Sequence, residues 1–553
     1  PLFKSLFLVW DILSSCSQIF LDSFDKIYYF LSSLFFSKNL SGELKRFKQR
    51  LASSVLAISS SQWKELFGPK EEYVEGPIFG PEAKGLKGKV SIWLSSYAPR
   101  EKRATDRWTP AQYAWTLEKE YEKMHPEVDL DIWKSGALPG WAQMSEYRTW
   151  LEAQVVGGAA PEIVWMQHPW GRESYGPRGT LTDFRPFLNM PNPYVKDNQK
   201  WIDEWESIFD VEKGPHGERW AIVGAMVTTG MFYNKDVFDK VGVLPPDTWA
   251  ELIDLCSKLK AAGSPMILAG GLITPGSFEW TERIIYFQLY ADEVFGVMDV
   301  DKNGMVDLKE RVIAFKKGII DPMSPKYQAY WKLMKEWSQY WIPGFLSITR
   351  DEKAYELFIA EKGAIYWGGS WSIKPLLYDQ ARKFDFGVFR FPEITRESCP
   401  FVAEKNPGGL MGGLGSAYRY SVPKVVKERG LLRETVDFLM FLTAPQNTGP
   451  YCADEGSFVP IIKGCPFPEE LATVFKSMLL KPGQVLNSLI NMDTGFLWPT
   501  QKSKEENFKI WQQYLGGAIT LDQATPSVKK VQEEAAEDLI SRFGWDLSEY
   551  GVK

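Results

Sequence analysis

The chain body opens with short apolar runs that alternate with longer amphipathic stretches. The run KVSIWLSSY at 89–97 is apolar and ends in polar residues, so it predicts a strand whose C-terminal end opens into a site. A helix is expected to follow, through about Lys123, and then a second strand in HPEVDLDIW. Residues 148–156 predict a helix that Gly157 and Gly158 end, and PEIVWM at 161–166 predicts a third strand. This β-α-β-α-β alternation implies a mostly parallel sheet with helices on both faces. In such sheets ligands bind beyond the C-terminal ends of the strands, which puts Ser95, Ser96, Tyr97, Gln167, His168 and Trp170 on the ligand side.

The front of the chain has a different pattern. Residues 1–36 are rich in Phe, Leu and Ile, yet Asp11, Asp22, Asp25 and Lys26 interrupt them, leaving no clean apolar run long enough to span a bilayer. Three readings fit: an interfacial or hairpin membrane anchor, an atypical export signal, or a helical packing arm. Leu13-Ser14-Ser15-Cys16 resembles a lipoprotein cleavage box, but Asp11 before it and the apolar residues after it argue against lipidation. Lys45, Arg46, Lys48 and Arg50 suit anionic headgroups or a solvated helix face equally. Residues 1–67 are thus an anchor or arm, and the Gly/Pro-rich 68–88 predicts a linker.

At 553 residues the chain exceeds what one hydrophobic core serves, and two lobes plus an extra segment fit. The net charge of −6 argues against a general nucleic-acid binder, which needs a basic face. Three His and no CxxC spacing argue against a zinc site, and Cys452 and Cys465 are close enough in sequence to pair. The 23 Trp, 23 Tyr and 34 Phe have two uses: filling cores, or covering the apolar faces of sugar rings.

An ordered set of motifs narrows this. EKMHPEVDL at 122–130, VGGAAPEIVWM at 156–166 and GTLTDFRPFL at 179–188 are followed by ERWAIVGAMVTTGMFYNKDVFDKVGVLPPDTWAELIDLCSKLK at 218–260. Then come FIAEKGAIYWGGSWSIKPL at 358–376, FDFGVFRFP at 384–392 and ETVDFLMFLTAPQ at 434–446. In this order the motifs resemble the family 1 extracellular solute-binding proteins, the sugar-binding subunits of ABC importers. Tyr233-Asn234-Lys235-Asp236, Lys240, Gly242, Pro246, Thr248, Trp249, Glu251 and Leu252 carry the most specific match. Ile222-Val223-Gly224 departs from the usual pattern, where a proline follows the apolar pair.

The resemblance implies an α/β, two-lobed periplasmic-binding-protein fold of type II, with hinge strands between the lobes. Lobe 1 would comprise 89–228 and about 386–448, and lobe 2 about 229–385 and 449–553. It implies an extracytoplasmic protein that closes on a carbohydrate and delivers it to ABC permease subunits. Trp371 falls at the family's stacking tryptophan, and Gln167, His168 and Trp170 fall where it places polar and aromatic contacts. Trp280, the last residue of ITPGSFEW, would add a lobe 2 platform, with Tyr97 and Thr229 near the cleft floor and hinge. Gly412, Gly413 and Gly415 suit a close backbone approach or a plain loop. Arrays of aromatic platforms favour oligosaccharides, since each ring needs its own surface.

One further motif has its own chemistry. DVDKNGMVDLKE at 299–310 matches a calcium-binding EF-hand loop. Asp299, Asp301 and Asn303 take the first three ligand positions, and Gly304 the sharp turn. Met305 offers its carbonyl, Val306 is the apolar position, Asp307 acts through water and Glu310 with both oxygens. The expected role of Ca²⁺ is structural, and the alternative is an acidic surface turn. A helix after the loop is predicted, and one before it is less evident. No G-x-S-x-G, H-E-x-x-H or P-loop is present, so a binder is expected rather than an enzyme. A glycan sensor or adhesin and a glycoside-processing enzyme are the alternatives.

Overall fold

The computed structural model describes residues 59–552 apart from 96–97, 139–143, 168–169, 215, 272–276, 303–305, 405, 407, 409–411, 414–417, 457 and 479–500. The expected anchor, with Cys16 and the basic Lys45–Arg50 stretch, lies outside these except for its last turns, helix Ser60–Phe67. No helix among the described residues is long and apolar enough to cross a membrane.

The first sheet has five strands in the order β2-β1-β3-β10-β4. Strands β1 (Gly88–Trp93), β2 (Val128–Ile132) and β3 (Ile163–Trp165) are parallel, joined by helices Tyr113–Met124 and Met144–Val156. This is the alternation expected from sequence. In β2 the apolar Val128, Leu130 and Ile132 point inward while Asp129 and Asp131 point outward, the period-2 signature of a half-buried strand. β4 (Ile222–Val223) and β10 (Arg419–Ser421) complete the sheet, with β10 antiparallel to both neighbours.

The second sheet is built on β5 (Ala225–Asn234), ten residues and almost wholly buried. It pairs antiparallel with β7 (Ile365–Gly369), β8 (Phe386–Phe389), β9 (Gly412–Gly413) and β11 (Val459–Pro460), and β6 (Met266–Ile267) lies parallel to β7. Alternate residues serve two cores. Met231, Ile365 and Trp367 face one, and Phe232 and Tyr366 the other. Both faces of this strand are therefore buried, its polar Thr228 and Thr229 included.

The lobes meet where the chain passes between sheets. Gly224 alone separates β4 from β5, and β9 leads back to β10. β11 pairs with the start of β5 while Ile461 and Ile462, just after it, enter the first core. Gly224 donates to the Tyr418 carbonyl at 3.0 Å and accepts from Ile461 N–H at 3.0 Å. A Cβ at Gly224 would lie 2.4 Å from the Tyr418 ring, so the absence of a side chain keeps the crossing strands close.

These passes move the lobe boundaries. β8 and the following residues through Ala403 pack in the second lobe, not the first, because β8 pairs with β5. Tyr451, Cys452, Phe458, Ile461 and Ile462 belong to the first core, beyond the expected boundary at 448. Cys452 and Cys465 are both free thiols. The 68–88 stretch, expected to be a linker, has no helix or strand before Gly88, where β1 begins, but is fastened to lobe 1. Ile78, Phe79 and Leu86 are buried, Gly80 N–H donates to Asp437 Oδ1 at 2.5 Å, and Arg433 Nε donates to the Ile78 carbonyl at 2.8 Å. Asp437 also accepts from the Tyr121 and Tyr194 hydroxyls at 2.7 and 2.6 Å. These charges lie on helix Leu432–Thr443, which is buried along its whole length, so each needs the partner it has.

Candidate ligand-binding site

Lobe 2 builds its part of the site on the turn after β7. In WGGSW the strand delivers Trp367 and Gly369, and a short helical turn, Ser370–Ser372, presents Trp371. The Trp371 indole lies over Gly369, where a Cβ would come 2.2 Å from a ring carbon. Gly369 has φ −140° and ψ −172°, an extended backbone open to any residue, so space and not conformation requires glycine. Trp280, on helix Ser277–Glu293, meets Trp371 edge-on at 5.1 Å and Trp367 at 6.0 Å. Trp280 and Trp367 are buried, whereas Trp371 is half-buried and packs against the cores of both lobes. The edge-on geometry is the favoured one for aromatic pairs, and it props the outermost indole in a fixed attitude. Thr229 of β5 lies directly opposite Gly369 in the sheet register, buried beside this turn.

Lobe 1 contributes the C-terminal ends of its parallel strands. Gln167 follows β3 and is half-buried; its carbonyl accepts from Trp170 N–H at 3.1 Å and Gly171 N–H at 3.3 Å. Trp170 is only 8% exposed. Its ring meets Tyr147 and Trp165 at 6.2 Å each, and the Arg148 guanidinium sits over it at 5.4 Å. Both neighbours and the cation occupy the ring, so Trp170 braces the rim instead of offering an open face. Ser95, two residues past β1, has φ +60°, a left-handed conformation that costs a non-glycine residue energy and recurs at functional sites. Ser96, Tyr97, His168 and Gly415 lie outside the described residues. Gly412 and Gly413 form β9 against Val227 and Thr228.

The structure therefore gathers Trp371, Trp280 and Thr229 at the hinge side of lobe 2, and sets Gln167 and Trp170 past the C-terminal end of β3 in lobe 1. Sequence reasoning missed Trp367 and Gly369, although two tryptophans flanking two glycines and a serine were a visible signal.

The acidic loop stands apart. Helix Ser277–Glu293 continues through a π-helical turn, Val294–Met298, straight into the loop, and helix Leu308–Lys316 leaves it. The incoming helix that was not evident in sequence is thus present. Carboxylate oxygens of Asp299, Asp301 and Glu310 lie within 4.8 Å of one another. Asp307 caps the outgoing helix, accepting from Glu310 N–H at 2.8 Å, while Glu310 Oε2 accepts from Asp307 N–H at 2.9 Å. Glu310 Oε1 accepts from Val300 N–H at 2.6 Å and Asp301 N–H at 3.1 Å. Burial pushes the Glu310 carboxyl up to about 7. Val306 is fully buried, as an apolar eighth position requires. Asn303, Gly304 and Met305 lie outside the described residues.

Two lobes on separate sheets, crossing strands between them and a tryptophan leaning on both cores define a solute-binding clamp. The chain belongs to the bacterial extracellular solute-binding protein family, whose model matches residues 108–448, more than half of its length. It is 22% identical over 413 residues to the multiple sugar-binding protein of Streptococcus mutans, covering 72% of this chain and 81% of that one. It is 26% identical over 239 residues to the sn-glycerol-3-phosphate-binding periplasmic protein UgpB of Shigella dysenteriae, covering 43% of this chain and 47% of that one. Among solved structures, a chitin oligosaccharide binding protein superposes with a TM-score of 0.59 at 18% identity, covering 82% of this chain and all of that one. The last likeness is one of fold.

Proposed function

We propose that this chain is the extracytoplasmic carbohydrate-binding component of an ABC importer, which closes its lobes on an oligosaccharide and presents it to a membrane permease. The observation that carries the reading is Trp371, a half-buried indole set on Gly369 beside the hinge and packed against both cores. A flat apolar face covers the C–H side of a pyranose, while neighbouring polar groups such as Gln167 meet its hydroxyls. Its place on the hinge side lets ligand contact bias the open–closed equilibrium. The sugar-binding relative supports the class, and the glycerol-3-phosphate relative names the main competitor. The protein acts as a binder and not as a hydrolase, and its first residues associate with the membrane.

We further propose that the 299–310 loop takes a structural Ca²⁺. The cluster of Asp299, Asp301 and Glu310 and the helix–loop–helix setting support this. Bidentate coordination by Glu310 would exchange its backbone N–H bonds for the cation.

The test is a thermal-shift screen of the full chain against oligosaccharides and sn-glycerol 3-phosphate, with and without calcium. A ligand of the folded state raises the melting temperature by mass action. A shift with one glycan series and no release of products supports a sugar binder. A shift with glycerol phosphate alone overturns it, and sugar cleavage restores the enzyme reading. A calcium shift without sugar supports the loop.

A further inference from the structure

The strand order β2-β1-β3-β10-β4 puts the hinge crossings at one side of the first sheet and β2 at the far edge. Because β1, β2 and β3 are parallel, their C-terminal ends share one side, the ligand side. Moving outward from the hinge, β3 leads to Gln167 and Trp170, β1 to Ser95, and β2 to Trp133. β2 is two strand spacings from β3, about 10 Å further along the cleft.

Trp133 follows the last residue of β2 and is half-buried. Its Nε1–H donates to Asp131 Oδ2 at 3.2 Å, which fixes the ring. Its indole meets Trp150 at 6.2 Å and Trp93 at 6.5 Å. Trp150, on helix Met144–Val156, is also half-buried and stacks on Tyr147 at 5.9 Å and 25°. Trp93 and Tyr147 are each 1% exposed. Two partly exposed indoles thus stand on two buried aromatic rings. This is the construction seen at Trp371, where Trp280 and Trp367 are the buried props, repeated in the other lobe at the β2 edge of its sheet.

We propose that Trp133 and Trp150 form an outer subsite that takes a further sugar unit of a linear oligosaccharide whose inner unit rests on Trp371. The proposal depends on the carbohydrate reading above and adds selection for chain length. Short ligands fill the hinge end alone, and only longer ones reach the β2 edge. Asp131, which also holds Lys89 at 2.9 Å, supplies a charged acceptor beside the ledge for ring hydroxyls.

The experiment is calorimetric titration of the full chain, and of its Trp133→Leu and Trp150→Leu variants, with chitin, xylan and raffinose-series oligosaccharides from disaccharide to hexasaccharide. Leucine keeps apolar packing but removes the flat face. The wild type should bind tighter as the chain lengthens, and each variant should lose about tenfold in affinity for the longer sugars and less than about twofold for the shortest. Where leucine lowers the melting temperature, Trp133→Phe replaces it and should give an intermediate loss confined to the longer sugars. Equal losses at every length, or none, overturn the subsite. Length-independent binding by the wild type also overturns it while leaving the carbohydrate reading intact. Failure of the wild type to bind any of these sugars removes that reading and the subsite together.

Discussion

Trp371 and Trp170 are the same residue type, each a few positions past a sheet strand, yet their surroundings differ. Trp371 stands on Gly369, is propped edge-on by Trp280, and stays half-buried between two cores. Trp170 is enclosed by Tyr147 and Trp165 with a guanidinium over its ring. The difference lies in the neighbours. A glycine underneath and buried rings behind leave an indole half-buried, while packing on both sides turns it into core.

The sharpest way to break this comparison is to truncate both. Trp170→Ala should lower the unfolding free energy by about 3–5 kcal/mol, the usual cost of removing a buried aromatic. Its folded fraction should keep near-normal affinity, read by denaturant melts beside calorimetry. Trp371→Ala should do the reverse, losing about 2 kcal/mol or more of binding, roughly thirtyfold in Kd, with a smaller change in melting. If Trp371→Ala leaves affinity untouched, the platform is elsewhere. Gly369→Ala tests the support itself. The added methyl collides with the indole, and a cost of about 1–3 kcal/mol in stability is expected together with weaker binding. A variant that melts and binds normally would show that the indole does not need that seat.

The smallest effect concerns the acidic loop. Burial holds the Glu310 carboxyl at about 7, against a usual value of 4.5. The folded protein therefore keeps a proton that the unfolded chain releases. The group's contribution to stability falls as pH rises from about 4.5 through about 7, with the raised carboxyl deprotonating in the fold at the upper end. Glu310→Gln should remove that slope, seen as a melting difference between wild type and variant that changes from about pH 5 to about pH 8 without divalent cations. A difference that is the same at both values contradicts it.

Much of this was legible in the sequence, for identifiable reasons. The strands β1 to β3 and their helices follow from local periodicity, which the parallel sheet honours. Trp371 is marked by WGGSW, because a local turn builds its seat. The acidic cluster is legible because Asp299, Asp301 and Glu310 are set by spacing along twelve residues. What was hidden depends on residues far apart. Trp133 and Trp150 come together only when β2 takes the sheet edge and the Met144–Val156 helix packs beside it. The 68–88 stretch has linker composition, but Arg433 and Asp437, more than three hundred residues away, give its backbone partners. The lobe boundaries escaped because two-residue strands such as β9 and β11 carry no periodic signal, yet they mark where the chain changes sheet.

The central claim is that the two lobes close on a carbohydrate held at Trp371. Small-angle X-ray scattering of the full chain, with and without a saturating concentration of the oligosaccharide that raises its melting temperature, tests it most directly. The account predicts a smaller radius of gyration with the sugar, and no such contraction in Trp371→Ala at the same concentration. A radius that stays constant while the sugar is bound, or an equal contraction in both proteins, would contradict it.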